Sequence, residues 1–347
     1  MIVVSKERSL AGATRTLMPD EVRVEASCSH LISSWLKRGV RFVEMRDDLL
    51  TDEQLLRVAR QLPQAHRALS LRRPRLQYRP LLEAVQPALV DFALELGALP
   101  EELLCAMGPR LIVSQHHREL EAPLSSLLRR LEQTVPSDVG LKLAVPLRHL
   151  GELGEADAWS RHPGSLRLLL PIASDGSGRF AFYRLVRGAD LLLNFVREPK
   201  NTLVLDQPTE AEWAARHAVQ PSHSADSPFA VWLTTSPEPS VREPQLKSFF
   251  ATYGWPLFRI ELRPLDLTSG DVLGGLHRMG MRVAAASTRS RAHAVSRIDD
   301  PLLQALTSAF PEVSFYGSPA AANESAAGST AAAQREFFSQ LFFGNDA

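Results

Sequence analysis

Short apolar runs of four to six residues alternate with longer amphipathic stretches through the first part of this 347-residue chain. The short runs predict β-strands over 1–5, 41–45, 68–71, 88–93, 110–114, 140–145, 166–171 and 191–195. Between them, apolar positions at helical spacing predict helices over 29–37, 52–61, 78–85, 100–107, 123–133, 147–158 and 179–187, with another over 210–218 after the eighth strand. Thr51 before Asp52-Glu53-Gln54, and Thr209 before Glu210-Ala211-Glu212, read as N-caps with acidic first turns. Alternation of this kind marks an α/β architecture with parallel strands, and eight strand–helix pairs in about 215 residues predict a compact (β/α)8 TIM barrel.

The pattern breaks at 219–228, where Gln, Pro, Ser, His and Asp dominate and a linker is expected. A smaller α/β domain follows, with strands predicted at 229–233, 257–261 and 282–285 and helices at 245–253, 269–279 and 301–309. The chain thus reads as a barrel over 1–218, a linker, a second domain over 229–317 and a tail over 318–347. That tail combines a run rich in Ala, Ser, Gly and Asn with Phe337, Phe338, Leu341, Phe342 and Phe343 on one helical face. The face is expected to pack on its own domain, with a partner-docking role as the alternative.

Composition narrows the function classes. An apolar fraction of 45% and a charged fraction of 22% are those of an ordinary globular protein. The formal net charge of zero carries no footprint for nucleic acid or an anionic membrane. No apolar run approaches the ~20 residues a bilayer span needs, and no signal-peptide pattern opens the chain, so a cytoplasmic protein is expected. The two cysteines, Cys28 and Cys105, are too few for a disulfide framework or a cysteine-based zinc site and are expected to be small buried hydrophobes.

The most informative residue is Lys142, a charge inside the apolar run Gly-Leu-Lys-Leu-Ala-Val. Burial works against an ammonium, so a lysine held there is either salt-bridged or a usable amine nucleophile, suited to Schiff-base formation with a ketone or aldehyde. Barrel enzymes work at the C-terminal ends of their strands. The polar residues expected on that rim are Glu44, Arg46, Asp47 and Asp48 after strand two, Ser70, Arg72 and Arg73 after strand three, and Ser114, Gln115, His116 and His117 after strand five. Arg179 and Arg184 follow strand seven, and Asp206 and Gln207 follow strand eight. A nucleophilic amine, a proton shuttle and several arginines suited to a carboxylate would then share one rim.

These residues resemble type I 3-dehydroquinate dehydratase over about the first 215 positions. The family's Glu-x-Arg-x-Asp matches Glu44, Arg46 and Asp48; its Thr-x-Arg is similar to Ser70-Leu71-Arg72; its Ser-x-His matches Ser114-Gln115-His116. Its Val-Lys strand matches Leu141-Lys142, its Ser-Arg resembles Tyr183-Arg184, and its closing glutamine resembles Gln207. The chain departs from the family where Arg75-Leu76-Gln77 replaces Glu-Gly-Gly, where 203–207 lacks the serine and glycine of the substrate-closing loop, and where Ala173-Ser174-Asp175-Gly176 shortens the Met-Gly-x-x-Gly run.

The resemblance implies a hydro-lyase of the shikimate pathway, which leads to aromatic amino acids. In it, Lys142 forms an iminium with the ketone of 3-dehydroquinate and His116 moves protons. Arg184 clamps the carboxylate, while Glu44, Arg46, Arg72 and Gln207 hold the ring hydroxyls. Glu44 is expected to orient His116 or balance Arg46. No metal or organic cofactor is implied. The stretch 229–330 resembles a worn substrate-binding domain of shikimate dehydrogenase, with Pro244-Gln245-Leu246, Gly254-Trp255-Pro256, Gly280-Met281-Arg282-Val283 and Ala322-Asn323 as its traces. Val241 and Glu243 stand at its substrate serines, and Ala284, Ala286 and Thr288 at its threonine, proline and lysine; Arg289 is no simple substitute for that lysine. With no Gly-x-Gly-x-x-Gly fingerprint, this half is expected to pack, form a homodimer or sense a ligand rather than act as a dehydrogenase. The alternative for the whole chain is an impaired pseudoenzyme that serves as a ligand sensor or regulatory scaffold.

Overall fold

A computed structural model describes residues 13–18, 21–22, 25–38, 40–161, 166–187, 193–200, 204–219, 228–235, 240–268, 272–287, 301–310 and 313–317. The chain folds into two compact units, one of 1–146 with 156–223 and one of 147–155 with the chain from 224 on. Among the described residues, no helix is long and apolar enough to cross a membrane.

The first unit runs β1 (Ala13–Thr16), α1 (Glu25–Lys37), β2 (Val40–Arg46), α2 (Asp52–Gln61), β3 (Arg67–Leu71), α3 (Arg79–Val85), β4 (Leu89–Ala93), α4 (Glu101–Met107), β5 (Leu111–His116) and α5 (Leu124–Thr134). It continues through β6 (Gly140–Leu147), whose last residue counts with the second unit, α6 (Glu152–Ser160), of which 156–160 belong to the first unit, β7 (Arg167–Ala173), α7 (Ala181–Val186), β8 (Asn194–Phe195) and α8 (Glu210–Val219). The strands form one parallel sheet in the order β7-β6-β5-β4-β3-β2-β1-β8, the cyclic order of a barrel. Among the described residues no ladder joins β7 to β8. Inward residues nevertheless meet across that gap, since Leu168 and Leu170 of β7 share a core cluster with Phe195 of β8 and Phe42 of β2. Strands buried on both faces read as near-continuous apolar runs, and β6 is the extreme case, with all eight residues buried, Lys142 included. Helix α2 begins where expected: Thr51 Oγ1 accepts from Gln54 N, and Gln54 Oε1 accepts from Thr51 N, a complete capping box.

One expectation falls outside the described residues and another is corrected. The strand that pairs with both β2 and β8 is Ala13–Thr16, whereas the expected first strand at 1–5 lies outside the described residues. Ala-Thr-Arg-Thr is a polar run, so hydropathy gives no strand signal there; Thr14 is buried all the same, and Thr16 bonds Glu44 on β2. Cys105 is exposed, not buried, because the buried stripe of α4 is Leu103 and Met107, four apart on the opposite side.

The second unit holds β9 (Phe229–Thr234), α9 (Glu243–Ala251), β10 (Leu257–Glu261), α10 (Pro264–Thr268), α11 (Val272–Arg278), β11 (Met281–Ser287), α12 (Pro301–Ala309) and β12 (Val313–Gly317). Its sheet order is β10-β9-β11-β12, parallel except for the antiparallel β11–β12 pair. Helix α10 and strand β12 are not among the elements expected from hydropathy. A core of Trp232, Phe250, Val283, Leu306 and Phe315 fills this unit, and Asp266 ties its segment 147–155 in place by accepting Leu150 N at 2.6 Å and Arg263 N at 2.7 Å. Thr288, Arg289, Ala322-Asn323, residues 220–227 of the linker and the phenylalanine-rich tail lie outside the described residues.

Candidate active site

A cavity of about 280 Å³ opens in the barrel, lined from β1, β2, β5, β6, β7, β8, α7 and the loops after β3, β7 and β8. Lys142, His116, Glu44, Arg46, Arg72, Arg184 and Gln207 all line it. Strand register explains their layering. Thr16 pairs with Glu44, Ser70 with Asp91 and Ser114 with Lys142, while His116 pairs with Ala144, one step nearer the strands' C-terminal ends. Lys142 therefore sits below the rim, on the cavity floor.

The floor is an ion pair. Lys142 Nζ donates to Asp91 Oδ2 at 2.5 Å, with both side chains almost wholly buried, and lies 4.8 Å from the Phe195 ring centroid. Of the two readings of Lys142, a bare amine and a salt-bridged lysine, the resting structure has the second. Arg72 Nη2 reaches the same carboxylate oxygen at 3.0 Å. Burial pushes the Asp91 carboxyl up, but Lys142 and Arg72 outweigh it and hold the group far below the usual carboxylate range. Asp91 is the central residue that the sequence reading missed. Its signal was present: a charge inside Leu-Val-Asp-Phe-Ala is as anomalous as one inside Gly-Leu-Lys-Leu-Ala.

Arg72 links the floor to the rim, since its Nη1 lies 2.9 Å from His116 Nδ1. Glu95, in the turn after β4, accepts from His116 N at 2.5 Å and has the same oxygen 3.3 Å from Nδ1. Burial and the charges of Lys142 and Arg72 push His116 below its ordinary value, against the opposing pull of Glu95 and Asp91, so the imidazole is neutral near pH 7. Glu44 is not the residue that orients His116. Its carboxylate is occupied by Thr16 Oγ1 and Ser70 Oγ, both donating at 2.6 Å, and Arg46 is paired in bidentate fashion with Asp48 at 2.7 and 3.1 Å. The register of β1, β2 and β3 fixes this, because it sets both hydroxyls beside Glu44.

The cavity is also lined by Arg184 of α7, a buried guanidinium whose Nε and Nη1 have no hydrogen-bond partner among the described residues. Burial lowers it to about 10, with Asp206 and Tyr183 opposing. Overhead, the loop before α8 is pinned to the loop after β7. Asp206 accepts Ala173 N at 2.7 Å and Phe180 N at 3.0 Å, and Gly178, at φ +74°, comes so close to Leu205 that a Cβ there would lie 2.5 Å from the Leu205 Cβ. Gln207 lines the cavity from this loop, its backbone held by Val204 O and by Arg197 Nε. Among the described residues, no group of three or more His, Cys, Asp or Glu could hold a metal ion.

No family model and no curated protein matches the chain. Among solved structures, 3-dehydroquinate dehydratase from Aquifex aeolicus VF5 is 17% identical with a TM-score of 0.44, covering 60% of this chain and 99% of that one. The dehydroquinate dehydratase and shikimate dehydrogenase of S. pombe is 16% identical with a TM-score of 0.40, covering 81% of this chain and 57% of that one. A Rubisco-like protein from Rhodopseudomonas palustris is 16% identical with a TM-score of 0.41, covering 62% and 65%. Differently named proteins thus share this degree of likeness.

Proposed function

We propose that the barrel is a Schiff-base hydro-lyase acting on a carboxylated cyclic hydroxyketone, with 3-dehydroquinate as the substrate. One observation carries the reading: a buried amine and a buried guanidinium, two of whose donors have no partner among the described residues, line the same cavity. A fully desolvated arginine with free donors is costly unless an anion meets it, and a carboxylate matches its planar fork. Lys142 would attack the ketone and water would leave to give an iminium; His116 then removes the adjacent proton, the ring hydroxyl departs as water, and hydrolysis returns the amine. Attack requires Nζ to lose a proton. Asp91 is in contact but is held too acidic to keep one, whereas neutral His116 is the better base. Glu44, Arg46 and Gln207 line the route that the ring hydroxyls would occupy.

A barrel that binds such a ligand without turning it over is the second reading, and the Lys142–Asp91 ion pair favours it, because the nucleophile is engaged at rest. Borohydride treatment with 3-dehydroquinate decides between them. The enzyme reading expects a mass increase localised to Lys142, absent in Lys142→Met, and rising enone absorbance on turnover. Arg184→Met should lose binding while keeping its fold. Calorimetric binding with neither adduct nor absorbance would refute the lyase and leave the sensor.

A further inference from the structure

His116 Nδ1 has two neighbours with opposite demands. Arg72 Nη1, at 2.9 Å, can only donate, so its bond needs a bare Nδ1 and puts the ring proton on Nε2. Glu95 Oε1, at 3.3 Å, can only accept, so its bond needs Nδ1–H and leaves the Nε2 lone pair free. A neutral ring cannot satisfy both. The shorter contact belongs to Arg72, and the Nε2–H tautomer, whose Nε2 has no lone pair to act as a base, is the one that satisfies it. Among the described residues, the cations Lys142 and Arg72 and the anions Asp91 and Glu95 are the charged groups that act on the ring. The contest is therefore between two neutral tautomers.

Both neighbours have a second anchor. Glu95 is held by the His116 backbone N–H at 2.5 Å, a bond indifferent to the ring proton. Arg72 keeps Asp91 through Nη2 at 3.0 Å, but it lines the cavity and its buried Nε has no hydrogen-bond partner among the described residues, so an oxygen-rich anion entering the cavity offers this guanidinium new acceptors and competes with His116 Nδ1 for it.

We infer that a ligand recruiting the Arg72 guanidinium hands Nδ1 from Arg72 to Glu95, changes His116 from the Nε2–H to the Nδ1–H tautomer, and so exposes Nε2 as a base only when the cavity is filled. The exchange balances: one proton leaves Nε2 for water, one arrives at Nδ1 from water, and Arg72 and Glu95 keep their charges. Arg72 is the sensor of occupancy and Glu95 the positioning residue. The inference rests on the proposed function only in taking the ligand to be a carboxylated ring polyol. An empty site then holds Lys142 paired and His116 blocked, which protects the amine from stray carbonyl compounds.

The test is ¹⁵N NMR of the full chain labelled at histidine, with His116 assigned by its loss in His116→Gln. The free protein should show a bare Nδ1. Quinate, which has the carboxylate and ring hydroxyls but no ketone, should bring up the Nδ1–H form, and Glu95→Ala should lose that change while still binding quinate. Arg72→Gln should show Nδ1–H without any ligand, and reversal in Arg72→Gln/Glu95→Ala completes the cycle. A free protein already in the Nδ1–H form overturns the inference, as does quinate binding with no tautomer change. Should Arg72→Gln fail to fold, the wild-type titration decides alone. Failure of quinate to bind, with the ligand-free change still seen in Arg72→Gln, overturns the proposed function and not the contested nitrogen.

Discussion

Replacing either partner of the buried pair should not cost the same, and the asymmetry follows from who else is within reach. Among the described residues, Lys142 has Asp91 as its one hydrogen-bonded partner, at 2.5 Å, whereas Asp91 has both Lys142 and, at 3.0 Å, Arg72. The Lys142 and Asp91 side chains are 3% and 4% exposed, so solvent cannot take over the role of a lost partner. Asp91→Asn leaves two cations, Lys142 and Arg72, beside a neutral amide. Breaking a buried pair in this way costs about 3–5 kcal/mol. Lys142→Met keeps the length of the stem near Phe195 and leaves Asp91 bonded to Arg72, so the loss is that of one charged hydrogen bond, about 1.5–3 kcal/mol.

Urea unfolding at neutral pH, followed by circular dichroism, measures both, and the double variant should cost less than the sum because the two positions are coupled. Lys142→Met costing as much as Asp91→Asn would refute the reasoning, since Arg72 would then not be sustaining Asp91. Strict additivity would refute the pair itself.

Two further outcomes test the rim and the roof. Gly178→Ala forces a Cβ to 2.5 Å from the Leu205 Cβ at a positive φ, so it should destabilise the roof by about 1–3 kcal/mol and speed amide exchange at Ala173 and Phe180, the two groups Asp206 holds; unchanged exchange there would disprove the pinning. Glu95 is held at about 2 against an ordinary 4.5: burial raises it, but its bonds to His116 and the backbone outweigh that. A carboxylate lowered by folding contributes stability that is present above pH 4.5 and lost as pH falls toward 2, so stability should decline more steeply through that window in the wild type than in Glu95→Gln. Glu95 is nearly half exposed, which keeps the difference small, and equal slopes would show that its bond to His116 carries none of it.

What could be read from the sequence, and what could not, separates by physical cause. The alternation that predicts the barrel is legible because parallel strands buried on both faces must be largely apolar, and the apolar runs within β3 to β7 follow that rule. Strand β1 breaks it by carrying threonines, and one of those hydroxyls is needed to bond Glu44; the function of the strand is what hides it from hydropathy. Lys142 is conspicuous because nothing about an apolar strand explains a charge. Asp91 is anomalous for the same reason, and two such anomalies on strands two apart in the sheet are each other's explanation. Reading them together would have predicted the ion pair from the sequence alone. Glu95 is a different case. It sits in a turn, where a polar residue is ordinary, and only the sheet order, which lays β4 beside β5, brings its carboxylate to the end of the strand that carries His116. A motif records spacing along one segment, so Glu44, which shares a rim with His116, looked like its partner. The partner is set by neighbouring strands, and in a barrel those neighbours are the elements next in sequence: a carboxylate at the end of β4 was the better candidate for a histidine at the end of β5 than one on β2.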